Sequence, residues 1–125
     1  MNEPINLESK FNKFSDYWAP KVIAQMNDYQ FKLVKIKGEF VSHKHDDTDE
    51  VFIVIQGNMS IKLSDKTVHL SDGQMIVISK GEQHQPFAEE ECKILLIEPN
   101  ETINSGDDPI ESNENIFTSP NNYWI

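Results

Sequence analysis

Two histidines and one glutamate lie close together near the middle of the chain, in the pattern His43-x-His45-x4-Glu50. Side chains two residues apart in an extended strand point to the same face, so His43 and His45 are expected to converge on one point. The four polar residues 46–49 predict a turn that places Glu50 beside His45 on the neighbouring strand. Imidazole nitrogens and one carboxylate oxygen suit a divalent transition metal ion. The stretch therefore predicts a metal site.

The elements that position these residues are expected to be short strands. A strand that opens at Gly38 would carry His43 and His45, and a later strand would begin at His84. Runs of alternating apolar residues, bounded by turn signals, indicate the other strands. Those strands cover residues 21–26, 29–37, 50–56, 59–63, 67–70, 74–79 and 93–98. Many short strands at regular spacing predict an all-β fold, most economically a jelly-roll barrel whose interior holds the site.

One short helix is predicted before the first strand. Leu7, Phe11 and Phe14 fall on one helical stripe, and Asn6 precedes them as a good N-cap. Trp18 follows the helix and is interpreted as a packing anchor. The helix and this anchor form an N-terminal arm to the barrel.

The lining of the predicted barrel follows from the same alternation. If Glu50 points inward, Phe52, Val54 and Gln56 on the same strand also point inward, and Met59 on the next strand joins them. These four residues are the candidate pocket. It is largely apolar, with one amide and no strong general base.

Both faces of several predicted strands are apolar, which bears on assembly. Residues 51–55, 76–78 and 94–97 carry more apolar surface than one short helix can cover. A homodimer is the expected partner arrangement, together with a small-molecule ligand or substrate.

Composition excludes several other functions. The 125 residues form one expected domain, with 21 acidic against 11 basic residues and a net charge of -10. Nucleic acid is an unfavourable partner for so acidic a chain. Every basic residue is lysine, and no arginine is present for two-pronged capture of phosphate. The single cysteine, Cys92, the lack of a signal-peptide pattern and the lack of a long apolar run predict a cytoplasmic protein without a membrane span.

Two segments resemble the conserved motifs of the cupin superfamily. His43-x-His45-x4-Glu50-x6-Gly57 is similar to the first motif, and Gly73-x5-Ser79-x-Gly81-x2-His84 is similar to the second, with Ser79 in place of the usual proline. The resemblance implies a double-stranded β-helix, or jelly-roll, cupin barrel. It also implies that one metal ion is bound by four residues of this chain. Those residues are His43, His45, Glu50 and His84.

The resemblance extends to a group of small one-domain cupins that are often labelled mannose-6-phosphate isomerase-like. The chain is similar to them in the run that ends at Pro99 and in the run 104–107. It implies one cupin domain over 1–125, with a helix and strand arm at 1–28, the barrel at 29–99 and a C-terminal loop or tail at 100–125.

Three functions remain open at the level of sequence. The ligand set accepts Fe, Mn, Ni, Zn or Co, and each ion supplies Lewis-acid or redox chemistry. The first function is a metalloenzyme that isomerises or dioxygenates a sugar-like or oxygenated small molecule. The second is a non-catalytic binding or sensing barrel that uses the metal as an anchor, and the third is a structural unit. The absence of arginine counts against a dedicated sugar-phosphate pocket.

Overall fold

A computed structural model describes residues 2–103, 105–106 and 123–125 of the chain. Regular structure begins with helix α1 (Leu7–Phe11). The side-chain oxygen of Asn6 accepts a hydrogen bond from the backbone N–H of Ser9 at 2.9 Å, which confirms the predicted N-cap. The helix buries Phe11 against the outside of the sheet and so forms the first part of the arm.

Seven strands follow among the described residues and form one antiparallel sheet that folds as a jelly roll. The sheet order is β1-β2-β7-β3-β6, and β4 pairs with both β5 and β7. The strands are β1 (Lys21–Met26), β2 (Tyr29–Glu39), β3 (Glu50–Gln56), β4 (Asn58–Lys62), β5 (Thr67–Ser71), β6 (Met75–Ile78) and β7 (Gln85–Pro99). The bounds predicted for β1 and β3 are confirmed.

Strand β7 is the longest element and organises the sheet. It pairs with β2 over most of its length, with β3 through its second half and with β4 through its beginning. The separate strand predicted over 93–98 is therefore the second half of a single strand. Because β7 pairs with β2, β3 and β4, it forms the part of the barrel wall against which the site is built.

Two apolar clusters lie on opposite faces of the sheet. Val34 and Ile36 of β2 belong to the inner cluster, whereas Phe31 and Leu33 belong to the outer cluster with Phe11 of α1. This division follows from the period of two in an extended strand. The helix therefore shields part of the apolar outer face of the sheet from water.

The segment 40–49 is not the regular strand that the sequence predicts. Strand β2 continues through Gly38 to Glu39, with an irregular register after Ile36. Beyond it the chain is held by single contacts, including the N–H of Phe40 bonded to the carbonyl of Pro86 at 3.1 Å. Proline has no N–H with which to continue a ladder. The histidine-bearing segment is therefore irregular.

The predicted C-terminal tail at 100–125 falls largely outside the described residues. Within this tail, the carbonyl of Tyr123 accepts a hydrogen bond from the backbone N–H of Val22 of β1 at 2.7 Å. The backbone N–H of Ile125 donates one to the carbonyl of Val22 at 3.1 Å. The division of the chain at residues 28 and 99 stays a prediction. Within the described residues, every helix is too short or too polar to cross a lipid bilayer.

Candidate metal centre

Four side chains from three segments converge inside the barrel. One potential ligand atom from each of His43, His45, Glu50 and His84 lies within 4.8 Å of the others. All four residues are buried, with exposures between 1% and 6%. His43 and His84 are neighbours because their backbones exchange two hydrogen bonds, of 2.9 and 2.8 Å, in an isolated antiparallel bridge. The structure thus brings together the four residues that the sequence singles out.

The backbone orients two of the imidazole rings. Nδ1 of His43 lies 2.9 Å from the carbonyl oxygen of Val41, and Nδ1 of His84 lies 2.9 Å from the carbonyl oxygen of Glu82. A carbonyl oxygen only accepts, so each Nδ1 carries the hydrogen and donates it. The lone pair of each Nε2 is then free to face the cluster. Metal-binding histidines usually have this arrangement.

The carboxylate of Glu50 faces the rings of His45 and His84, but neither contact has the geometry of a hydrogen bond. Its Oε1 lies 3.4 Å from Nε2 of His84, and its Oε2 lies 3.7 Å from Nε2 of His45. Oε1 of Glu50 and Nε2 of His84 are buried and make no hydrogen bond with the described residues. A buried polar atom without a partner costs about 1–3 kcal/mol. A shared cation would satisfy both atoms at once, so the donor set fits a metal ion.

The acidic turn has a structural role beside the cluster. The carboxylate of Asp49 accepts a hydrogen bond from the backbone N–H of Lys80 at 2.8 Å, and the N–H of Gly81 donates to the carbonyl of His45 at 2.7 Å. These two bonds attach the turn that precedes His84 to the segment that carries His45. They hold the two sequence motifs in register.

Burial keeps the cluster near its uncharged state. Burial, with the neighbouring His84, lowers the pKa of His43 from 6.5 to about 3. Burial also lowers the pKa of His84 and raises the pKa of Glu50. Neutral imidazole is the form that binds a metal. The lowered pKa values therefore keep the imidazoles of His43 and His84 in the form that binds a cation at neutral pH.

We expect His43 to make the metal-free protein less stable in mild acid. The unfolded chain protonates His43 near pH 6.5 and the folded protein near pH 3, so stability falls as pH decreases between these values. The loss is about 1.4 kcal/mol per pH unit. In chelator-treated protein, the difference in unfolding free energy between wild type and His43→Gln should therefore shrink as pH decreases from 6 to 4. Parallel curves in urea titrations would contradict the assignment.

A buried ion pair adjoins Glu50, and the sequence interpretation missed it. Nζ of Lys32 lies 2.9 Å from Oε1 of Glu98, with both side chains at most 3% exposed. Burial, together with the neighbouring carboxyl group of Glu50, raises the pKa of Glu98 well above its ordinary value. The alternation of β2 and β7 contained the signal, because Lys32 has the parity of inward Val34 and Glu98 that of inward Leu96.

A small cavity of about 30 Å³ opens from the cluster into the inner core. Its described lining is apolar apart from two members of the cluster. The lining includes Trp18, Phe40, Phe52 and Leu96, with His43 and Glu50.

The predicted pocket residues fall into three groups. Phe52 lines the cavity, whereas Val54 and Met59 are buried in the inner core away from it. Gln56 is exposed, contrary to the expectation that it points inward. The register between β3 and β7 shifts between Val54 and Gln56, and such a bulge reverses the alternation of side chains.

One further histidine and the single cysteine lie outside the cluster. His69 is exposed, and its Nδ1 lies 2.7 Å from Oγ of Ser60. Cys92 is fully buried, and burial raises the pKa of its thiol to about 11. Neither residue belongs to the cluster of potential metal ligands.

Comparison with known proteins identifies a matching domain family and similar solved structures. The profile of the cupin domain family matches residues 32–98. A crystal structure of a cupin-2 domain containing protein from Shewanella frigidimarina is 58% identical, with a TM-score of 0.75, and the match covers 76% of this chain and 93% of that chain. The crystal structure of protein NMB1881 from Neisseria meningitidis is 33% identical, with a TM-score of 0.72, over 78% of this chain and 99% of that one.

A relative is also found among curated sequences. The uncharacterized protein YdbB of Bacillus subtilis is 34% identical over 86 residues, which is 68% of this chain and 76% of that protein. The matched family segment contains every residue of the buried cluster and both members of the buried ion pair.

Proposed function

Because this chain belongs to the cupin domain family, we propose that it is a metal-binding cupin whose His43, His45, Glu50 and His84 hold one divalent transition metal ion. The observation that carries the proposal is the pair of buried atoms that lack a hydrogen-bond partner, Oε1 of Glu50 and Nε2 of His84. A site of three imidazoles and one carboxylate accepts Fe, Mn, Ni, Zn or Co.

The protein residues would define the charge and orientation of the site. Three neutral imidazoles and one carboxylate leave a divalent ion with a net charge of about +1. When bound, such an ion supplies Lewis-acid polarisation of an oxygen or, as iron, redox chemistry. The carbonyls of Val41 and Glu82 hold His43 and His84 in the required tautomer. The apolar walls exclude bulk water from the reacting group.

We infer that the metal serves a small metalloenzyme of isomerase or dioxygenase type, acting on a small oxygenated molecule. A buried, partly apolar site is suited to polarising one oxygen of a substrate away from water. Among the described residues that line the cavity, none is a lysine, and the sequence has no arginine. This lining disfavours a phosphorylated sugar and favours an uncharged or singly charged substrate.

A non-catalytic binding barrel is the second candidate, and one observation favours it. His43 and Glu50 are the only ionisable groups among the described residues of the cavity lining, and both are proposed ligands. A catalyst of proton transfer needs a group that is free to accept or donate a proton. A barrel that uses the metal to anchor a ligand needs no such group.

The experiment that tests the metal site is elemental analysis of tag-free protein beside the His43→Ala/His84→Ala variant. We expect about one metal ion per chain in the wild type and less than a tenth of that in the variant, because two of the four donors are lost. A His69→Ala variant is the matched control, since His69 lies outside the cluster, and it should retain the metal. Equal metal content in all three proteins, including none after reconstitution, would refute the proposal.

We propose that the protein is a homodimer joined through the outer face of the sheet. Met75 and Val77 of β6 are 56% and 52% exposed, and their cross-strand partners Ile53 and Val51 on β3 are only half-buried. Such a contiguous apolar surface is suited to self-association about a two-fold axis. Light scattering at micromolar concentration should give twice the chain mass for the wild type and the chain mass for Met75→Glu/Val77→Glu. A monomeric wild type would contradict this proposal.

A further inference from the structure

Trp18 closes the cavity from the N-terminal arm. Its indole ring stacks on Phe40 with ring centroids 4.9 Å apart and planes inclined by 15°, and Phe40 meets the ring of His43 edge-on at 5.4 Å. Trp18 is only 4% exposed and lines the same cavity as His43 and Glu50. A ring from outside the cupin segment therefore forms one wall of the space beside the candidate metal centre.

The backbone holds Trp18 in place at the cost of local strain. Its φ of +61° lies in the left-handed region, which is unfavourable for a bulky residue. Its N–H donates to the carbonyl of Lys35 at 2.9 Å, and its indole Nε1 donates to the carbonyl of Lys37 at 2.9 Å. Two hydrogen bonds to one strand fix both the backbone and the ring. Such strain persists where the surroundings define a single position.

The space that remains is small and apolar. A cavity of about 30 Å³ accommodates roughly two water-sized groups, since one such group needs about 10–15 Å³. Apart from His43 and Glu50, its described lining consists of aromatic and aliphatic side chains and one proline. A ligand that enters must therefore direct a polar head at the cluster and keep the remainder short and apolar.

We propose that Trp18 is a specificity-determining residue, which limits the ligand of the metal centre to a molecule with one oxygen-donor head and an apolar tail of one or two carbon atoms. This inference rests on the proposed metal-binding function. It adds the size and polarity of the ligand and assigns the limit to one residue of the arm.

The test uses the cobalt-loaded full chain and a series of simple monocarboxylates: formate, acetate, butanoate and hexanoate. Binding is read from the change in the visible spectrum of the cobalt ion, so no activity is required. In the wild type we expect formate and acetate to bind at least ten-fold more tightly than hexanoate. In Trp18→Ala we expect the affinity for hexanoate to rise at least ten-fold, while that for formate changes less than three-fold.

A second variant and a control keep the result interpretable. Trp18→Phe retains a ring on Phe40 but shortens it, so it should shift the preference to butanoate even if Trp18→Ala fails to fold. Trp124→Ala, which removes an exposed tryptophan away from the cavity, should leave the series unchanged.

The outcomes separate this inference from the proposed function. Cobalt that binds equally well without His43 and His84 would refute the metal site and the inference with it. Cobalt that binds at the site, with the same chain-length preference in the wild type and both Trp18 variants, would overturn the role of Trp18 alone. A spectrum that no carboxylate perturbs in any variant would also overturn it, because the cavity would then not admit a ligand to the metal.

Discussion

Replacement of Lys32 by methionine is expected to destabilise the protein by about 3–5 kcal/mol. Lys32 and Glu98 form an ion pair of 2.9 Å with almost no exposure. Without Lys32 the carboxyl group of Glu98 stays buried beside Glu50 with no cation to pair with, and losses of this size are typical when one partner of a buried pair is removed. The total stability of a domain is about 5–15 kcal/mol, so the variant would lose a large part of it. The measurement is the unfolding free energy from urea denaturation of the metal-free protein.

Two further variants test the cause of that loss. Lys37→Met changes an exposed lysine on the same strand and should alter stability by about 0.5 kcal/mol or less. The double variant Lys32→Met/Glu98→Met removes both charges and should regain most of the lost stability, because apolar replacement of a buried pair is often neutral. A double variant as unstable as Lys32→Met would show that packing, and not the lost charge compensation, determines the effect.

Replacement of Gly106 by alanine is expected to disturb both stability and metal binding. A Cβ atom at this position would lie 2.7 Å from the carbonyl oxygen of Lys44 and 2.8 Å from Cβ of His43. Its φ of +88° is also unfavourable for alanine. Strain and a backbone shift together cost about 2–4 kcal/mol. His43 is a proposed metal ligand, and we expect its displacement to lower metal affinity ten- to a hundred-fold.

The matched control for this change is Gly73→Ala. Gly73 has a φ of +80°, but no atom lies within 4 Å of the Cβ position. The control therefore includes the backbone strain without the collision, and it should cost about 1–2 kcal/mol with unchanged metal affinity. Isothermal titration of cobalt, with urea denaturation, measures both quantities. Equal effects of the two alanines would contradict a role for Gly106 beside His43.

Local patterns were sufficient to predict the jelly-roll fold and the convergence of the cluster. The alternation of apolar residues defined β3 because Phe52 and Val54 lie in the inner core. The spacing of His43 and His45 indicated their common direction even though the segment is irregular. Fold and cluster depend on short-range spacing, which a sequence displays directly.

Contacts between distant segments were harder to predict. Trp18 reaches Phe40 from the arm, and Gly106 reaches His43 from beyond the barrel, so neither contact follows from spacing within one strand. Gln56 was misplaced because a bulge depends on the register of two strands. Lys32 and Glu98 were predictable in principle, since their inward parity could have been recognised from the same alternation that placed Val34 and Leu96.

Residues 123–125 contact β1 and the N-terminal helix, and these contacts have a consequence for biosynthesis. Ile125 joins the outer cluster around Phe11, and its carbonyl accepts a hydrogen bond from Lys10 at 2.8 Å. The ribosome completes β7 at Pro99 well before it adds Ile125. At translation rates of about 5–20 residues per second, residues 100–125 take roughly 1–5 s to synthesise. The described inner core contains no residue beyond Leu96, whereas the outer cluster stays incomplete until Ile125 has been added.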